Sequence, residues 1–375
     1  MTRPLRVAIV HYWLVKMRGG ERLLELFCEL FPEADLYTLV YDRDAMSETI
    51  NRHKVTPSFI QRLPFGVSRY QMYLPLMPMA LESFDLRDYD LVISSESGPA
   101  KGVITQPETC HICYTETPMR YLWNMAPEYA RTLGPIRRML WGPIAAWLRV
   151  WDYAGAQRVD HFLANSENVR KRIQRYWGRE ADVIHCPVDC ERFTPGDPAD
   201  EGYLLFVGEL TGYKRADLAV DACKTSGRKL VVVGDGPEMS ALRRKAGPNV
   251  EFTGWVEPAE LVRYYRGCSA FLFPGEEDFG ITPLEAMACG KPVVAYGRGG
   301  ALETVVEGET GVFFHEPSSE ALNRAVARAL EHVWDPDRAR RRALEFDRIR
   351  IRQQLARYVE EKLETFSATT PRSRP

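Results

Sequence analysis

The feature that most constrains the fold is the alternation of short apolar, β-branched runs with amphipathic stretches along the sequence. Such alternation is typical of stacked βα units, which build parallel sheets covered by helices. In the second half it predicts strands at Tyr203–Val207, Leu230–Val233, Val250–Phe252, Ala270–Phe273, Pro292–Ala295 and Gly311–Phe314. Helices are predicted at Ala216–Cys223, Pro237–Lys245, Pro258–Arg266, Thr282–Cys289, Ala301–Glu307 and Ser318–His332. This half is therefore expected to form one doubly wound, Rossmann-like domain.

The first half begins in the same way, with a predicted strand at Leu5–Val10, the glycine pair Gly19 and Gly20, and a helix from Glu21 to Leu30. Further strands are expected at Tyr89–Ser94, His111–Tyr114 and His161–Ala164, with a long helical region from Met119 to about Arg158. The first half is therefore expected to form a second Rossmann-like domain.

Domain boundaries follow from breaks in this pattern. A break near Cys186, followed by the Pro/Gly/Asp-rich cluster Thr194–Gly202, indicates a boundary. We expect domains over residues 1–186 and 187–337, then a segment over 338–375 that packs back on the first domain. In that segment a long helix over Arg338–Phe366 precedes a tail that is frayed from Ser367. Two α/β domains facing each other place a ligand cleft at the carboxyl ends of both sheets.

Composition excludes several classes of protein. The 49 Lys and Arg residues against 51 Asp and Glu residues leave no basic excess for nucleic-acid binding. No apolar run is long enough to span a membrane, and the first strand begins too early to leave room for a signal peptide, so we expect a cytoplasmic protein. The eight cysteines fit reduced core thiols, and neither Cys110–Cys113 nor His185–Cys190 completes a zinc site. No metal or cofactor is therefore expected.

The segment Phe273–Ala295 carries the most chemistry, because its pattern predicts strand, loop, helix and strand. Thr282 suits an N-cap and Pro283 the first helical position, which would leave a free helix N-terminus that suits a diphosphate. Glu277 on the loop and Glu285 in the first turn could accept hydrogen bonds from sugar or ribose hydroxyls. Thr282 and Glu285 could equally form a capping box with no ligand role.

This segment resembles the E-x7-E signature of glycosyltransferase family 4, the retaining nucleotide-sugar glycosyltransferases of GT-B fold. The resemblance continues at Phe206–Ala219, Val232–Glu238 and Phe252–Val256. In the first half it is closest to bacterial mannosyltransferases of O-antigen or exopolysaccharide assembly, which usually use GDP-mannose. The matching segments there are Val10–Trp13, Arg18–Glu21, Cys110–Tyr114, Thr117–Tyr121 and Ala164–Arg170.

The resemblance implies a role for each matching residue. Lys214 would neutralise the diphosphate, Glu277 would contact the transferred sugar, and Glu285 would contact the ribose. Backbone amides would approach the sugar and phosphates, from the second domain at Phe279, Gly280 and Ile281 and from the first at Gly19 and Gly20. The expected reaction needs no metal if the lysine and the helix terminus carry the diphosphate. It needs no protein nucleophile, because the donor phosphate takes the acceptor proton as the sugar leaves on the same face.

Two positions depart from the family. Glu209 stands where Arg is usual, so Arg215 would have to supply the missing charge or Glu209 would have to point away. Glu116 stands where His is common, in the loop expected to face the donor sugar, and we expect it to contact the sugar or the acceptor. These departures leave open a catalytically silent nucleotide-sugar-binding subunit. The sequence also leaves open a UDP-sugar donor and a non-hydrolysing sugar-nucleotide epimerase of the same fold.

The stretch 136–151 combines Arg137, Arg138 and Arg149 with three tryptophans. Basic residues with interfacial tryptophans suit a helix lying on an anionic membrane, so the protein could be peripheral on the cytoplasmic face of the inner membrane. A core helix whose aromatic residues face the sheet would show the same pattern, and Pro143 is expected to interrupt any single helix here. A lipid-linked saccharide acceptor would accord with membrane contact.

Overall fold

The computed structural model describes residues 4–197 and 200–370, apart from the side chains of Glu96, Thr132 and Ile136. The chain divides into two compact units. Unit 1 runs to Ile184 and takes up the chain again from Arg352, whereas unit 2 is His185–Ile351. The return to unit 1 thus begins at Arg352 rather than at the expected residue 338.

Within its described residues, unit 1 contains a seven-stranded parallel sheet in the order β3-β2-β1-β4-β5-β6-β7. The strands are β1 (Val7–His11), β2 (Asp35–Thr38), β3 (Val55–Pro57), β4 (Leu91–Glu96), β5 (Cys110–Thr115), β6 (His161–Ala164) and β7 (Asp182–Val183). The helices are α1 (Gly19–Leu30), α2 (Glu48–Asn51), α3 (Met77–Glu82), α4 (Ala126–Thr132), α5 (Pro135–Ala156) and α6 (Glu167–Trp177).

Unit 2 contains a six-stranded parallel sheet in the order β10-β9-β8-β11-β12-β13 among the residues described. Its strands are β8 (Tyr203–Val207), β9 (Leu230–Val233), β10 (Val250–Gly254), β11 (Cys268–Phe273), β12 (Val293–Tyr296) and β13 (Gly311–Phe314). The remaining helices are α7 (Ala216–Ser226), α8 (Met239–Lys245), α9 (Pro258–Gly267), α10 (Ile281–Ala288), α11 (Ala301–Thr304), α12 (Ser319–Glu331), α13 (Pro336–Leu344) and α14 (Arg348–Thr369). Of these, α14 runs from unit 2 into unit 1.

Burial explains which strands the sequence pattern detects. All residues of β1 and β5 are buried, and strands covered on both faces form continuous apolar runs. The predicted strands of unit 2 are confirmed, most of them to within two residues of their bounds. Unit 1 also contains β2, β3 and β7, which were not predicted because they are short and carry polar residues toward the ends of the sheet.

Three helix predictions need correction. The expected single helix Arg338–Phe366 is two helices, α13 and α14. Helix α14 continues through Ser367 to Thr369, so the expected fraying does not begin at Ser367, and residues 371–375 of the expected tail lie outside the described residues. Pro143 lies inside α5 without ending it. Because Pro143 and Met139 are both solvent-exposed, water can reach the carbonyl that loses its intrahelical donor there.

The cysteines are all buried and none forms a disulfide. Burial raises the pKa of the thiols of Cys28, Cys223 and Cys268 to about 12, so these groups stay protonated at neutral pH. They are core residues, as the sequence indicates. None of the described helices is both long and apolar enough to cross a bilayer.

Both sheets have a point where the strand order reverses. In unit 1 the first strand, β1, lies between β2 and β4, and in unit 2 β8 lies between β9 and β11. In open α/β sheets, ligands bind outside the carboxyl ends of the strands at such a reversal. The loops after β1 and β4 in unit 1, and after β8 and β11 in unit 2, are therefore where each unit would hold a ligand.

Candidate functional site

The loop after β11 leads into α10, whose start differs from the prediction. The helix begins at Ile281 with Gly280 as its N-cap, so Thr282 lies inside the first turn and is not the cap. Gly280 has a φ of 91°, and a Cβ there would lie 2.8 Å from the Phe273 ring, so only glycine fits this position. No side chain caps α10, which leaves its N-terminal amides and positive dipole end for a ligand.

Phe279 contributes its backbone to this turn rather than its ring. Its side chain is only 3% exposed and packs against the rings of Phe346 and His185, with centroids 5.7 and 5.3 Å away. The three residues Phe279, Gly280 and Ile281 therefore form an anchored turn at the helix N-terminus. The backbone role toward sugar and phosphates that the resemblance implies for them stays a prediction.

Lys214 and Glu277 form an ion pair at the carboxyl ends of β8 and β11. The ammonium Nζ donates to both carboxylate oxygens of Glu277, at 2.9 and 3.0 Å. The two side chains are 14% and 18% exposed, so water screens the pair only in part. The sequence assigned these residues to different parts of a ligand, whereas the structure places their charged groups in direct contact.

Glycines allow this pair to sit so close to the backbone. A Cβ at Gly275 would lie 2.7 Å from the Lys214 Cα, and a Cβ at Gly208 would lie 3.2 Å from the Lys214 Cδ. Gly208 directly follows β8, and Gly275 lies two residues beyond β11. Lys214 is therefore packed against residues from both loops at the strand-order reversal. The sequence predicts no role for these two glycines. A signal was present, because Gly208 directly follows one predicted strand and Gly275 follows the first loop residue after another.

A second glycine pair, also missed from the sequence, holds the Glu277 loop. The amide of Gly300 donates to the carbonyl of Glu277 at 2.9 Å. A Cβ at Gly299 would lie 2.4 Å from that carbonyl oxygen, and one at Gly300 would lie 2.2 Å from the Phe279 Cα. The signal in the sequence is the Gly-Gly pair that follows β12 and opens α11.

Glu285 is oriented by a buried tyrosine. The Tyr265 hydroxyl donates to its Oε2 at 2.7 Å, and Tyr265 is fully buried. Burial, and after it the Glu285 carboxylate, raises the pKa of Tyr265 well above its ordinary value, so the phenol remains a donor. Because Thr282 is not an N-cap, the interpretation in which Glu285 only completes a Thr282 capping box is wrong.

Arg215 adds less positive charge than the sequence suggests. Its guanidinium makes a two-pronged contact with Asp217, Nε to Oδ1 at 2.9 Å and NH2 to Oδ2 at 3.0 Å. The hydrogen bond to Asp217 raises the pKa of Arg215 further, so the guanidinium keeps its charge and shares it with the Asp217 side chain. Glu209, two residues beyond β8, is exposed. Lys214 is thus the cation that lies against Glu277.

In unit 1, Gly20 and Glu116 lie together. Glu116 directly follows β5, and its two carboxylate oxygens lie 2.8 and 2.9 Å from where a Cβ of Gly20 would be. Ser95, at the end of β4, donates to Glu116 Oε1 at 3.4 Å. Gly19 and Gly20 open α1, so the carboxylate lies at a helix N-terminus, where the helix dipole favours negative charge.

Three neighbours of this group, His11, Tyr12 and Glu21, lie in the matching sequence motifs, although the sequence predicts no role for them. Glu21 accepts the Arg18 amide at 2.9 Å through Oε2, and its Oε1 lies 3.6 Å from Nε2 of His11. His11 and Glu21 are 0% and 2% exposed. The buried Tyr12 hydroxyl would lie 2.3 Å from a Gly20 Cβ. Its pKa is raised well above the ordinary value, chiefly by burial and then by Glu116. These contacts tie the end of β1 to the first turn of α1.

Comparisons with known proteins agree with this arrangement. Residues 17–192 match the family model described as Glycosyltransferase Family 4, and residues 189–345 match Glycosyl transferases group 1. A GDP-mannose-dependent alpha-(1-6)-phosphatidylinositol monomannoside mannosyltransferase of Mycolicibacterium smegmatis is 31% identical over 205 residues, which cover 46% of this chain and 53% of the relative. The chain spans about half the length of the curated relatives it matches.

Two solved structures resemble nearly the whole chain. Sucrose-phosphate synthase from Thermosynechococcus elongatus aligns with a TM-score of 0.71 at 18% identity, covering 96% of this chain and all of that one. Anabaena HepE in complex with UDP aligns with a TM-score of 0.69 at 17% identity, covering 95% and 100%. The two Rossmann-like units are thus those of the GT-B fold. Together with the family matches at residues 17–192 and 189–345, they make the chain similar to glycosyltransferases along most of its length.

Proposed function

We propose that this protein is a retaining, metal-independent glycosyltransferase that transfers a hexose from a sugar nucleotide to a saccharide or lipid-linked saccharide. The observation that carries the proposal is the Lys214–Glu277 pair beside the uncapped N-terminus of α10. A cation, a hydroxyl acceptor and a row of amide donors are the groups that a nucleoside diphosphate sugar requires.

In the proposed complex, Lys214 and Glu277 exchange partners. The ammonium turns to the diphosphate as negative charge develops on the leaving group, while the carboxylate accepts from hydroxyls of the transferred sugar. Without ligand, the ion pair keeps both partly buried charges compensated. The chemistry then depends on positioning and electrostatic stabilisation, and the donor phosphate itself takes the acceptor proton.

The remaining residues are assigned by position. We assign the amides of the Phe279–Ile281 turn to the phosphates and sugar, and Glu285, oriented by Tyr265, to the ribose hydroxyls. In unit 1, Gly19 and Gly20 would offer backbone amides, and Glu116 would contact the sugar or the acceptor.

We propose GDP-mannose as the donor and bacterial polysaccharide synthesis as the setting. Support comes from the mannosyltransferase-like motifs and from the donor that the name of the Mycolicibacterium smegmatis relative gives. A UDP-sugar is the second candidate donor, because HepE was solved in complex with UDP.

A catalytically silent sugar-nucleotide-binding subunit is the second candidate function. It is favoured by Glu209, which is exposed close to the proposed phosphate site, and by Arg215, whose charge Asp217 already neutralises. Together these features give a phosphate site less net positive charge than the family usually has.

A panel of sugar nucleotides screened by thermal shift tests the proposal. A ligand at one hundred times its Kd adds about 2.7 kcal/mol to the stability of the folded state. We expect GDP-mannose to give the largest shift and Lys214→Ala to abolish it. Lys245→Ala is the matched control, because Lys245 pairs with Asp221 in the same unit, on helices α8 and α7. An equal shift in wild type and Lys214→Ala would contradict the assignment.

A further inference from the structure

Helix α5 has an unusual solvent-facing side. Several of its exposed positions are apolar and recur at helical spacing: Met139 at 73%, Leu140 at 55%, Trp147 at 49% and Val150 at 69% exposure. The opposite side packs inward through Ala145 and Leu148. A helix that only covered the sheet would carry polar residues on its outer face. Exposed aromatic and aliphatic side chains in a row indicate an interaction surface.

A second segment with the same character packs beside α5. Met72, Leu76 and Met79 are exposed by 61%, 36% and 56% at a spacing of four and three residues. They lie on the 3-10 helix Tyr70–Leu76 and on α3. Leu74 of that 3-10 helix packs against the α5 cluster, which joins the two segments on one surface.

A groove of about 470 Å³ marks where the segments meet. Its lining includes Met79 from α3, Ile104 from the loop after β4, and Trp147 and Trp151 from α5. The carboxylate of Glu82 also lines it, but this group accepts from Arg158 and from the Trp151 indole at 2.9 Å each. The groove is therefore apolar, and its one lining carboxylate is neutralised.

Every charged side chain within residues 59–81 and 129–151 is an arginine. Residues 59–81 contain two arginines and residues 129–151 contain four, with no Asp or Glu in either segment. Arg62, Arg69, Arg131 and Arg137 are exposed, and within the described part of the chain none of them forms an ion pair with a carboxylate. Like charges disfavour the pairing of two copies of this face, whereas an anionic surface would attract it.

We propose that residues 59–81 and 129–151 of unit 1 form a bipartite docking face for an anionic phospholipid bilayer. The exposed Met, Leu, Trp and Val side chains enter the interfacial region, and the arginines lie at the level of the lipid phosphates. The variants tested below change no residue assigned to the donor, either in unit 2 or at Gly19, Gly20 and Glu116 of unit 1. Donor turnover in solution therefore serves as an independent readout.

Co-sedimentation with vesicles tests the proposal. The full chain is mixed with vesicles of phosphatidylcholine alone or of equal parts phosphatidylcholine and phosphatidylglycerol. We expect binding to the mixed vesicles only, and a loss of binding of about fivefold for each removed arginine in Arg131→Gln/Arg137→Gln, the equivalent of about 1 kcal/mol each. Met139→Gln/Val150→Gln should abolish binding while melting temperature and donor turnover stay unchanged.

Matched controls lie in unit 2. Arg244→Gln and Val333→Gln remove an exposed arginine and a 92% exposed valine, and both should bind vesicles like wild type. The proposal is overturned if Met139→Gln/Val150→Gln binds vesicles as wild type does, or if neutral and anionic vesicles bind equally. It is also overturned if the wild type ignores vesicles and instead forms dimers that this variant abolishes, which would assign the face to a second copy.

Discussion

Gly20→Ala is the substitution whose outcome the structure defines most sharply. A Cβ at Gly20 would lie 2.3 Å from the Tyr12 hydroxyl and 2.8 and 2.9 Å from the Glu116 oxygens, well inside ordinary van der Waals contact. Tyr12 is 5% exposed, and its ring contacts those of His11 and Trp13, with centroids 4.0 and 4.7 Å away. The phenol has little room to move, so Glu116 must be displaced as well.

The size of the effect follows from two opposing terms. Alanine gains about 1 kcal/mol over glycine in a helix, whereas overpacking a filled site costs about 1–3 kcal/mol. Because the new methyl group would meet three oxygens, we expect the overpacking cost of Gly20→Ala to lie in the upper part of that range. Subtracting the gain in helix propensity leaves a net destabilisation of about 1–2 kcal/mol. For a unit of this size that corresponds to a decrease in Tm of roughly 2–8 °C.

Thermal unfolding followed by circular dichroism measures the loss of stability, and donor turnover measures the effect of displacing Glu116. Gly142→Ala in α5 is the matched control, because no atom lies within 4 Å of its Cβ position, and it should leave the Tm unchanged or raise it. Tyr12→Phe in the Gly20→Ala background removes the 2.3 Å contact and should restore part of the stability. If Gly20→Ala is as stable as Gly142→Ala, or if Tyr12→Phe rescues nothing, the packing argument is wrong.

Three further outcomes follow from the structure. Lys214→Ala should lower donor turnover by about 100–1000-fold with little loss of stability, as for other lost oxyanion donors. Lys245→Ala should leave turnover unchanged. A kcat of Lys214→Ala near that of the wild type would remove Lys214 from the site. Asp152→Asn should cost about 3–5 kcal/mol in urea unfolding, because Lys101 is fully buried against that carboxylate; a cost below about 1 kcal/mol would contradict this. Burial lowers the pKa of His111 to about 3, so unfolding favours its protonation. The contribution of His111 to the free energy of unfolding should be fully present above the ordinary pKa of about 6.5. It should fall by about 1.4 kcal/mol for each pH unit between there and pH 3, and urea unfolding of His111→Gln should show a smaller fall over the same range.

The sequence predicts the parts of this fold that depend on burial. Strands such as β9 are continuous runs of Val and Leu because helices cover both faces, and such runs are recognisable without a structure. The short strand β7 carries Asp182 at the end of the sheet, where burial does not demand apolar residues, so it escapes detection. Pro143 in α5 is a residue whose sequence signal misleads. Proline usually ends a helix, but here water can bond the carbonyl that has lost its donor, and the helix continues.

For the candidate site, the sequence supplies the residues of the prediction but not their contacts with one another. Lys214 and Glu277 are 63 residues apart, and only the adjacency of β8 and β11 brings their charges together. The sequence predicts Thr282 as the N-cap of α10 because Thr282 and Pro283 are good residues for a helix start. The N-cap is instead Gly280, two residues earlier, where the backbone and the nearby Phe273 ring require glycine. Arg215, which pairs with Asp217, likewise has a left-handed backbone with φ of 55°, a conformation that the sequence does not predict for arginine.

The most direct test of the proposed activity is proton NMR of GDP-mannose incubated with the purified protein, with water as the acceptor when no saccharide is added. We predict slow release of GDP, with mannose appearing first as the anomer that was present in the donor. Glu277→Gln should lower that release by about 100-fold or more, as for the loss of other groups that stabilise the transition state. If the wild type binds GDP-mannose but does not cleave it, the protein is a silent binding subunit. First appearance of the opposite anomer would contradict a retaining transferase.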